Sequence, residues 1–225
     1  CMKQEKNQMD IILPIVHPEI ESYMRTLASL TDDSVLLEME AFAKQQNFPI
    51  VNRLVGIFLA TQAKMIQARR VFEFGSGYGY SAYWFAKAVG AEGQVICSDI
   101  NPANQAAAEH YLASTGLWQR LNFQIGEAQD VFLSTEGMFD ICYNDVDKEA
   151  YPEIWQMAKH RIRPGGLYIA DNVLWSGRVI TQNDVGAISR ATKAIIKHNQ
   201  MIFDDAEFET FINPIRDGVL VARKK

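Results

Sequence analysis

Val71-Phe72-Glu73-Phe74-Gly75-Ser76-Gly77-Tyr78-Gly79-Tyr80-Ser81 is the stretch on which the reading of this chain turns. Val71 to Phe74 reads as a short strand, the glycines as a tight turn, and Ser81 to Val89 as the helix that follows. Glycines at such a turn let the backbone bend sharply and come close to a nucleotide-like ligand. The same alternation continues downstream. Val95–Ser98, Leu121–Ile125, Phe139–Asn144 and Gly166–Ala170 read as strands. Between them lie helical patterns at Asn104–Ser114, Ala128–Leu133 and Tyr151–Ile162. A further helix spans Gly186–Asn199, and two last strands, Phe208–Ile212 and Gly218–Ala222, are joined by a short Pro-containing turn that permits antiparallel pairing but no parallel crossover. Strands alternating with helices predict an α/β fold with a mostly parallel sheet covered on both faces.

Upstream, Glu19–Leu30, Ser34–Gln46 and Arg53–Met65 have helical spacing of apolar residues, and Thr31-Asp32-Asp33 reads as a helix-capping sequence. The expected organisation is one domain over residues 1–225. Residues 1–15 are expected to be flexible, 16–66 form a helical N-terminal addition, and 67–225 hold the sheet and the candidate site.

The 225 residues suffice for one full core. A hydrophobic fraction of 48%, a charged fraction of 22% and a net charge of −5 describe an ordinary soluble protein without the basic footprint of a general nucleic-acid binder. Three cysteines make no disulfide framework; Cys97 and Cys142 sit in apolar runs as core residues, so a reduced, cytoplasmic protein is expected. No apolar run reaches the roughly 18 residues of a membrane span, and no signal peptide is recognisable. Cys1 ahead of Met2 is expected to be a cloning remnant, not a lipidated end.

Two groups of residues carry chemistry. Asp99 ends the strand after the glycine turn, where an acid can accept hydrogen bonds from ribose hydroxyls. Tyr80 stands where a dinucleotide fingerprint needs its third glycine, and the Glu73 carboxylate would repel a pyrophosphate, so a cofactor carrying an amino group fits better than NAD or FAD. The second group is Asp145-Val146-Asp147-Lys148 with Asp171-Asn172. Acids and an amide at neighbouring strand ends suit a hard cation such as Mg²⁺, Ca²⁺ or Mn²⁺. Lys148 beside them could take a proton from a bound hydroxyl. The four histidines form no ligand cluster and read as surface or structural residues.

Val71–Ser81 (VFEFGSGYGYS), Gly126–Asp130 (GEAQD), Asp145–Lys148 (DVDK) and Ala170–Gly177 (ADNVLWSG), in this order, resemble the metal-dependent O-methyltransferases, which include the catechol and caffeoyl-CoA enzymes and many bacterial members. The resemblance implies a Rossmann-like class I methyltransferase fold, seven-stranded with an antiparallel last strand. It implies S-adenosylmethionine as cofactor, held by Glu73, Gly75, Ser76, Gly77, Tyr78, Ser81, Asp99, Ile100, Ala128, Gln129 and Asp145. Ala128 replaces a serine of some relatives. It further implies Asp145, Asp171 and Asn172 as metal ligands, with Mg²⁺ the first expectation, and Lys148 as general base. Trp175 is expected either against a planar acceptor or as a core residue. Arg216 departs from the Gly-Asp-Gly of many relatives and is expected near the acceptor end, where a cation either favours an acidic substrate or simply faces water.

The function so implied is methylation of a metal-chelated hydroxyl on a small catechol-like or hydroxycinnamoyl-like acceptor, by a homodimer. Some bacterial relatives methylate 5-hydroxyuridine in tRNA, which is the alternative, with bulk acidity against it. A binding protein that keeps the cofactor without turnover ranks lower, and a dehydrogenase lowest.

Overall fold

A computed structural model describes residues 13–28, 33–180 and 188–225 of the chain. Seven strands form one sheet: β1 Arg70–Phe74, β2 Gln94–Asp99, β3 Leu121–Ile125, β4 Phe139–Asn144, β5 Ile162–Ala170, β6 Phe208–Asn213 and β7 Val219–Lys224. Their order is β3-β2-β1-β4-β5-β7-β6. The first five pair in parallel, and β7 runs antiparallel to both its neighbours.

The period of two along each strand divides the core. Val71, Val95, Cys97, Ile141, Tyr143, Leu167 and Ile169 pack on one face against helices α2 Ser34–Gln46, α3 Arg53–Met65, α4 Tyr80–Val89 and α5 Pro102–Leu112. Phe72, Phe74, Ile96, Cys142, Tyr168, Ala170 and Leu220 pack on the other, against α6 Ala128–Ser134, α7 Tyr151–Ala158 and α8 Arg190–Phe203. Strands buried on both faces explain why so few of their positions are polar. Both core cysteines are buried and free, as expected. Among the described residues no helix is long and apolar enough to cross a membrane.

Several boundaries move for local reasons. The helix expected at Asn104 begins at Pro102, because the Asn101 side chain accepts from the Ala103 amide and proline is favoured at the first helical turn. The helix expected to run to Ile162 gives way after Ala158 to a 3₁₀ turn at Lys159–Arg161, because Ile162 already pairs with Phe139 as the start of β5. The helix expected from Gly186 begins at Arg190, where the Ser189 hydroxyl accepts from the Thr192 amide, and it runs on to Phe203. Asp33 occupies the N-cap position of α2 but makes no side-chain cap; its carboxylate accepts from the Tyr83 hydroxyl and, at 3.2 Å, from the Lys87 ammonium. The first helix is α1, Pro18–Ala28; Cys1, Leu30, the rest of the capping triplet and Gly186 lie outside the described residues.

Candidate active site at the carboxyl edge of the sheet

The strand order reverses between β1 and β4, and a ligand crevice is expected outside the carboxyl ends of the strands at such a point. A cleft of about 860 Å³ lies there. Gly75, Asp99, Gln129, Asp145, Lys148, Asn172, Trp175 and Arg216 line it, and Phe48 to Val51 close one side.

Gly75 joins the two halves of the cleft. Its φ is +80°, and a Cβ there would stand 2.8 Å from the Asp145 carbonyl oxygen, so only glycine fits. The turn is pinned from β2: the Ser98 hydroxyl donates to Glu73 O at 2.9 Å, Ser76 N donates to Ser98 O at 2.9 Å, and Ser98 N donates to Ser76 Oγ at 3.2 Å. Ser98 was not singled out from the sequence, since an isolated serine at a strand end carries no distinctive pattern. Tyr78 borders the cleft, but its hydroxyl is spent on the Met39 carbonyl at 2.8 Å and its ring packs on Phe42 and Phe48.

Glu73 is fully buried, and neither carboxylate oxygen has a hydrogen-bond partner among the described residues. Burial pushes its carboxyl up to about 7; the nearby Ser81 and Ser76 hydroxyls moderate the rise and the charge of Asp145 adds to it. A buried carboxylate without a donor is a group prepared for one, and the cleft is where that donor would come from. Asp99 is held by Asn101 N at 2.8 Å and Asn104 Nδ2 at 3.0 Å, both on Oδ1. Ile100 is exposed at the rim, and Ala128 and Gln129 open α6 against the cleft.

At the other end, Lys148 Nζ donates to Asp145 Oδ1 at 3.0 Å, Val146 O at 3.2 Å and the Tyr151 hydroxyl at 2.7 Å. Tyr151, fully buried, lies 3.3 Å from Asn144 O and 3.0 Å from Asp171 O and so ties the ends of β4 and β5 together. Asp147 stays exposed, as a loop acid should.

Asp171 is fully buried. Arg216 Nη1 donates to its Oδ2 at 2.8 Å, and Oδ1 has no partner among the described residues. Burial, with the charge of Asp145, pushes this carboxyl up to about 6 against the pull of Arg216. Asn172 and Trp175 both have left-handed φ, +57° and +49°. Their loop is clamped to the turn before β7, with Val173 N on Gly218 O and Leu174 N on Asp217 O, each at 3.0 Å, and Ser176 N on the Asp217 carboxylate. Trp175 packs on the apolar core below it, under the Arg178 guanidinium at 5.4 Å.

Behind these groups lies a buried polar chain. Asn144 Nδ2 donates to the Tyr168 hydroxyl at 2.9 Å, which stands 3.0 Å from His198 Nε2; His198 Nδ1 stands 3.1 Å from Asn199 Oδ1, and Asn199 Nδ2 donates to Val173 O at 2.8 Å. An amide can only donate through its nitrogen, so every bond runs in one direction, and His198 is neutral with its proton on Nδ1. Burial pushes its pKa down to about 4. His198 is thus structural, and fully buried.

The model of the O-methyltransferase family matches residues 22–225 of this chain. A catechol O-methyltransferase from Niastella koreensis is 32% identical over 173 residues, covering 75% of this chain and 78% of that protein. A caffeoyl-CoA O-methyltransferase from Zea mays is 29% identical over 178 residues, covering 75% and 67%. The O-methyltransferase from Bacillus cereus, solved in complex with SAH, superposes with a TM-score of 0.81 at 23% identity over 92% of this chain and 97% of that one, a likeness of fold. By the match of the family model over most of its length, the chain belongs to the O-methyltransferase family.

Proposed function

We propose that this chain methylates a hydroxyl of a small aromatic acceptor with two adjacent oxygens, catechol-like or hydroxycinnamoyl-like, using Lys148 as general base. The observation that carries the reading is the contact of Gly75 with the Asp145 carbonyl. The glycine turn lies directly against the Asp145–Lys148 loop, which supports a reading in which donor and acceptor share one cleft. The names of the catechol and caffeoyl-CoA relatives agree with that acceptor class.

Glu73, with Ser76, Ser81 and the glycine turn, would bind the methionine part of the cofactor, its amino group answering the unpartnered carboxylate. Asp99 would take the ribose hydroxyls, with Ile100, Ala128 and Gln129 along the adenine. Asp145, Asp171 and Asn172 offer two carboxylates and an amide, and the unpartnered Asp171 Oδ1 is an oxygen of the kind a hard cation takes. These residues would hold Mg²⁺, Ca²⁺ or Mn²⁺, which when bound supplies charge to stabilise an acceptor oxyanion. Among the described residues no cluster of three or more His, Cys, Asp or Glu side chains gathers that could hold a metal ion.

A phenol has a pKa near 10, so its proton must be taken as the reaction proceeds. Neutral Lys148 has two N–H donors, for which the Tyr151 hydroxyl and Val146 O are partners. Its lone pair then replaces the donor now given to Asp145 and accepts the acceptor's O–H proton. With the cofactor bound, the oxygen pair so freed would form the bond to its methyl carbon, and the carbon–sulfur pair would leave on sulfur as S-adenosylhomocysteine. Trp175 would flank the acceptor ring. A homodimer in the cytoplasm completes the proposal.

The test is a methyl-transfer screen with labelled cofactor, with and without EDTA, over catechols, hydroxycinnamoyl esters and bulk tRNA. Metal-dependent turnover of a catechol or hydroxycinnamoyl compound, lost about 10²-fold or more in Lys148→Ala, is the expected result. Labelling confined to tRNA, or full activity in Lys148→Ala, would reject it.

A further inference from the structure

Each acid of the oxygen set already faces a protein cation. Asp145 pairs with Lys148 at 3.0 Å and Asp171 with Arg216 at 2.8 Å. We infer that Arg216 is a built-in competitor for the divalent cation and sets how weakly this chain holds it. The inference rests on the reading of Asp145, Asp171 and Asn172 as the cation's ligands.

Arg216 is fixed in its position. Nη2 donates to the Ile50 carbonyl at 2.9 Å while Nη1 holds Asp171, so the guanidinium is gripped from two sides of the cleft. The turn that carries it is tied to the Asn172 loop through Asp217 and Gly218. Its φ is +50°, a left-handed conformation in which a long side chain is uncommon. Such a residue persists where its surroundings hold it, and here they hold it by its charge.

The charges then decide the effect. A fully buried carboxylate needs a compensating cation, and Arg216 provides one to Asp171. Two carboxylates against two cations leave the pair of ion pairs neutral, so an incoming divalent ion gains less than it would from acids alone. An arginine cannot step aside by losing its proton. It must be displaced from Asp171 or endured as a like charge beside the ion, and both weaken binding.

Mn²⁺ binding to the full chain, followed by the paramagnetic signal of the free ion and by calorimetry, tests this without any turnover. Arg216→Gly suits the left-handed backbone, and Arg216→Met keeps the apolar stem; thermal melts report that each folds. Both are expected to bind Mn²⁺ about tenfold or more tighter than the unaltered chain, with Arg216→Lys close to the unaltered chain. In Arg216→Gly, adding Asp171→Asn is expected to abolish the gain. Unchanged affinity, or a loss of about 10–100-fold as for a partner that orients a ligand, would overturn the inference and leave the metal site standing. A gain that survives Asp171→Asn would overturn it as well. No Mn²⁺ binding by any of these proteins would instead reject the metal-site reading, and the inference with it.

Discussion

The Tyr151 hydroxyl stands 2.7 Å from Lys148 Nζ and 3.0 Å from the main-chain oxygen of Asp171. One phenol therefore fixes the amine and joins it to the strand end that carries the second acid. Burial, with the charges of Asp145 and Asp171, keeps that phenol protonated, so toward the carbonyls it can only donate.

Tyr151→Phe removes this tie and keeps the ring. The lysine loses its shortest partner, and the β4 and β5 carbonyls lose their shared donor. Stability should drop by about 1–2 kcal/mol, and kcat by about tenfold, with cofactor affinity retained. Melting curves and steady-state kinetics measure both. An unchanged kcat would show that Lys148 needs no such support.

Gly75→Ala tests the junction of the two halves. A methyl group would meet the Asp145 carbonyl at 2.8 Å on a backbone with φ of +80°. The left-handed conformation alone costs an L-residue about 1–2 kcal/mol, and the clash must push β1 and β4 apart at their ends. Cofactor affinity and kcat should fall together, a pairing that calorimetry and kinetics can resolve. Loss of only one would mean that donor and acceptor groups are not mechanically linked at Gly75.

Much of this was legible in the chain because it is local. Short apolar strands, glycines at the β1 turn and acids at strand ends all leave their mark within a few residues. The unread part depends on distant pairings. Arg216 meets Asp171 across 45 positions, and its turn is aimed by a left-handed backbone that no neighbouring residue announces. Arg216 reads as a cation that favours an acidic acceptor or faces water, and neither reading points to Asp171, with which its charge is engaged. Ser98 and Tyr151 read as ordinary strand-end and helix-start residues until the sheet brings their partners in. His198 looked like one more helical histidine, because burial is set by the packing of α8, not by its own neighbours in sequence.

Glu73→Gln addresses the buried acid. The folded chain holds the Glu73 proton up to about 7, against 4.5 for an ordinary glutamate. Its contribution to stability is therefore intact below about 4.5 and is lost as pH rises through about 7. Replacing it with a group that does not titrate should make the ligand-free protein relatively more stable at pH 8 than at pH 5, by at most about 3 kcal/mol. Denaturant melts at the two pH values provide the difference. Equal offsets at both would show that Glu73 titrates normally. The same variant should lose cofactor affinity if the carboxylate meets the cofactor's amino group.

His198→Gln gives the opposite slope. Burial depresses the folded pKa of His198 to about 4 from 6.5, so the unfolded chain takes up the proton first as pH falls. The contribution of the neutral imidazole is complete above about 6.5 and is lost as pH falls through about 4. Between these limits Glu73 and His198 work against each other, which flattens the dependence of the unaltered protein. Glutamine can still accept from Tyr168, so the cost at pH 7.5 should stay near 1–2 kcal/mol. Without the histidine, stability should decline as pH rises from 4.5 to 7, because the Glu73 slope is no longer offset. If instead the variant matches the unaltered protein at every pH after a constant shift, His198 does not titrate below its normal range, and the one-directional chain from Asn144 to Val173 is drawn wrongly.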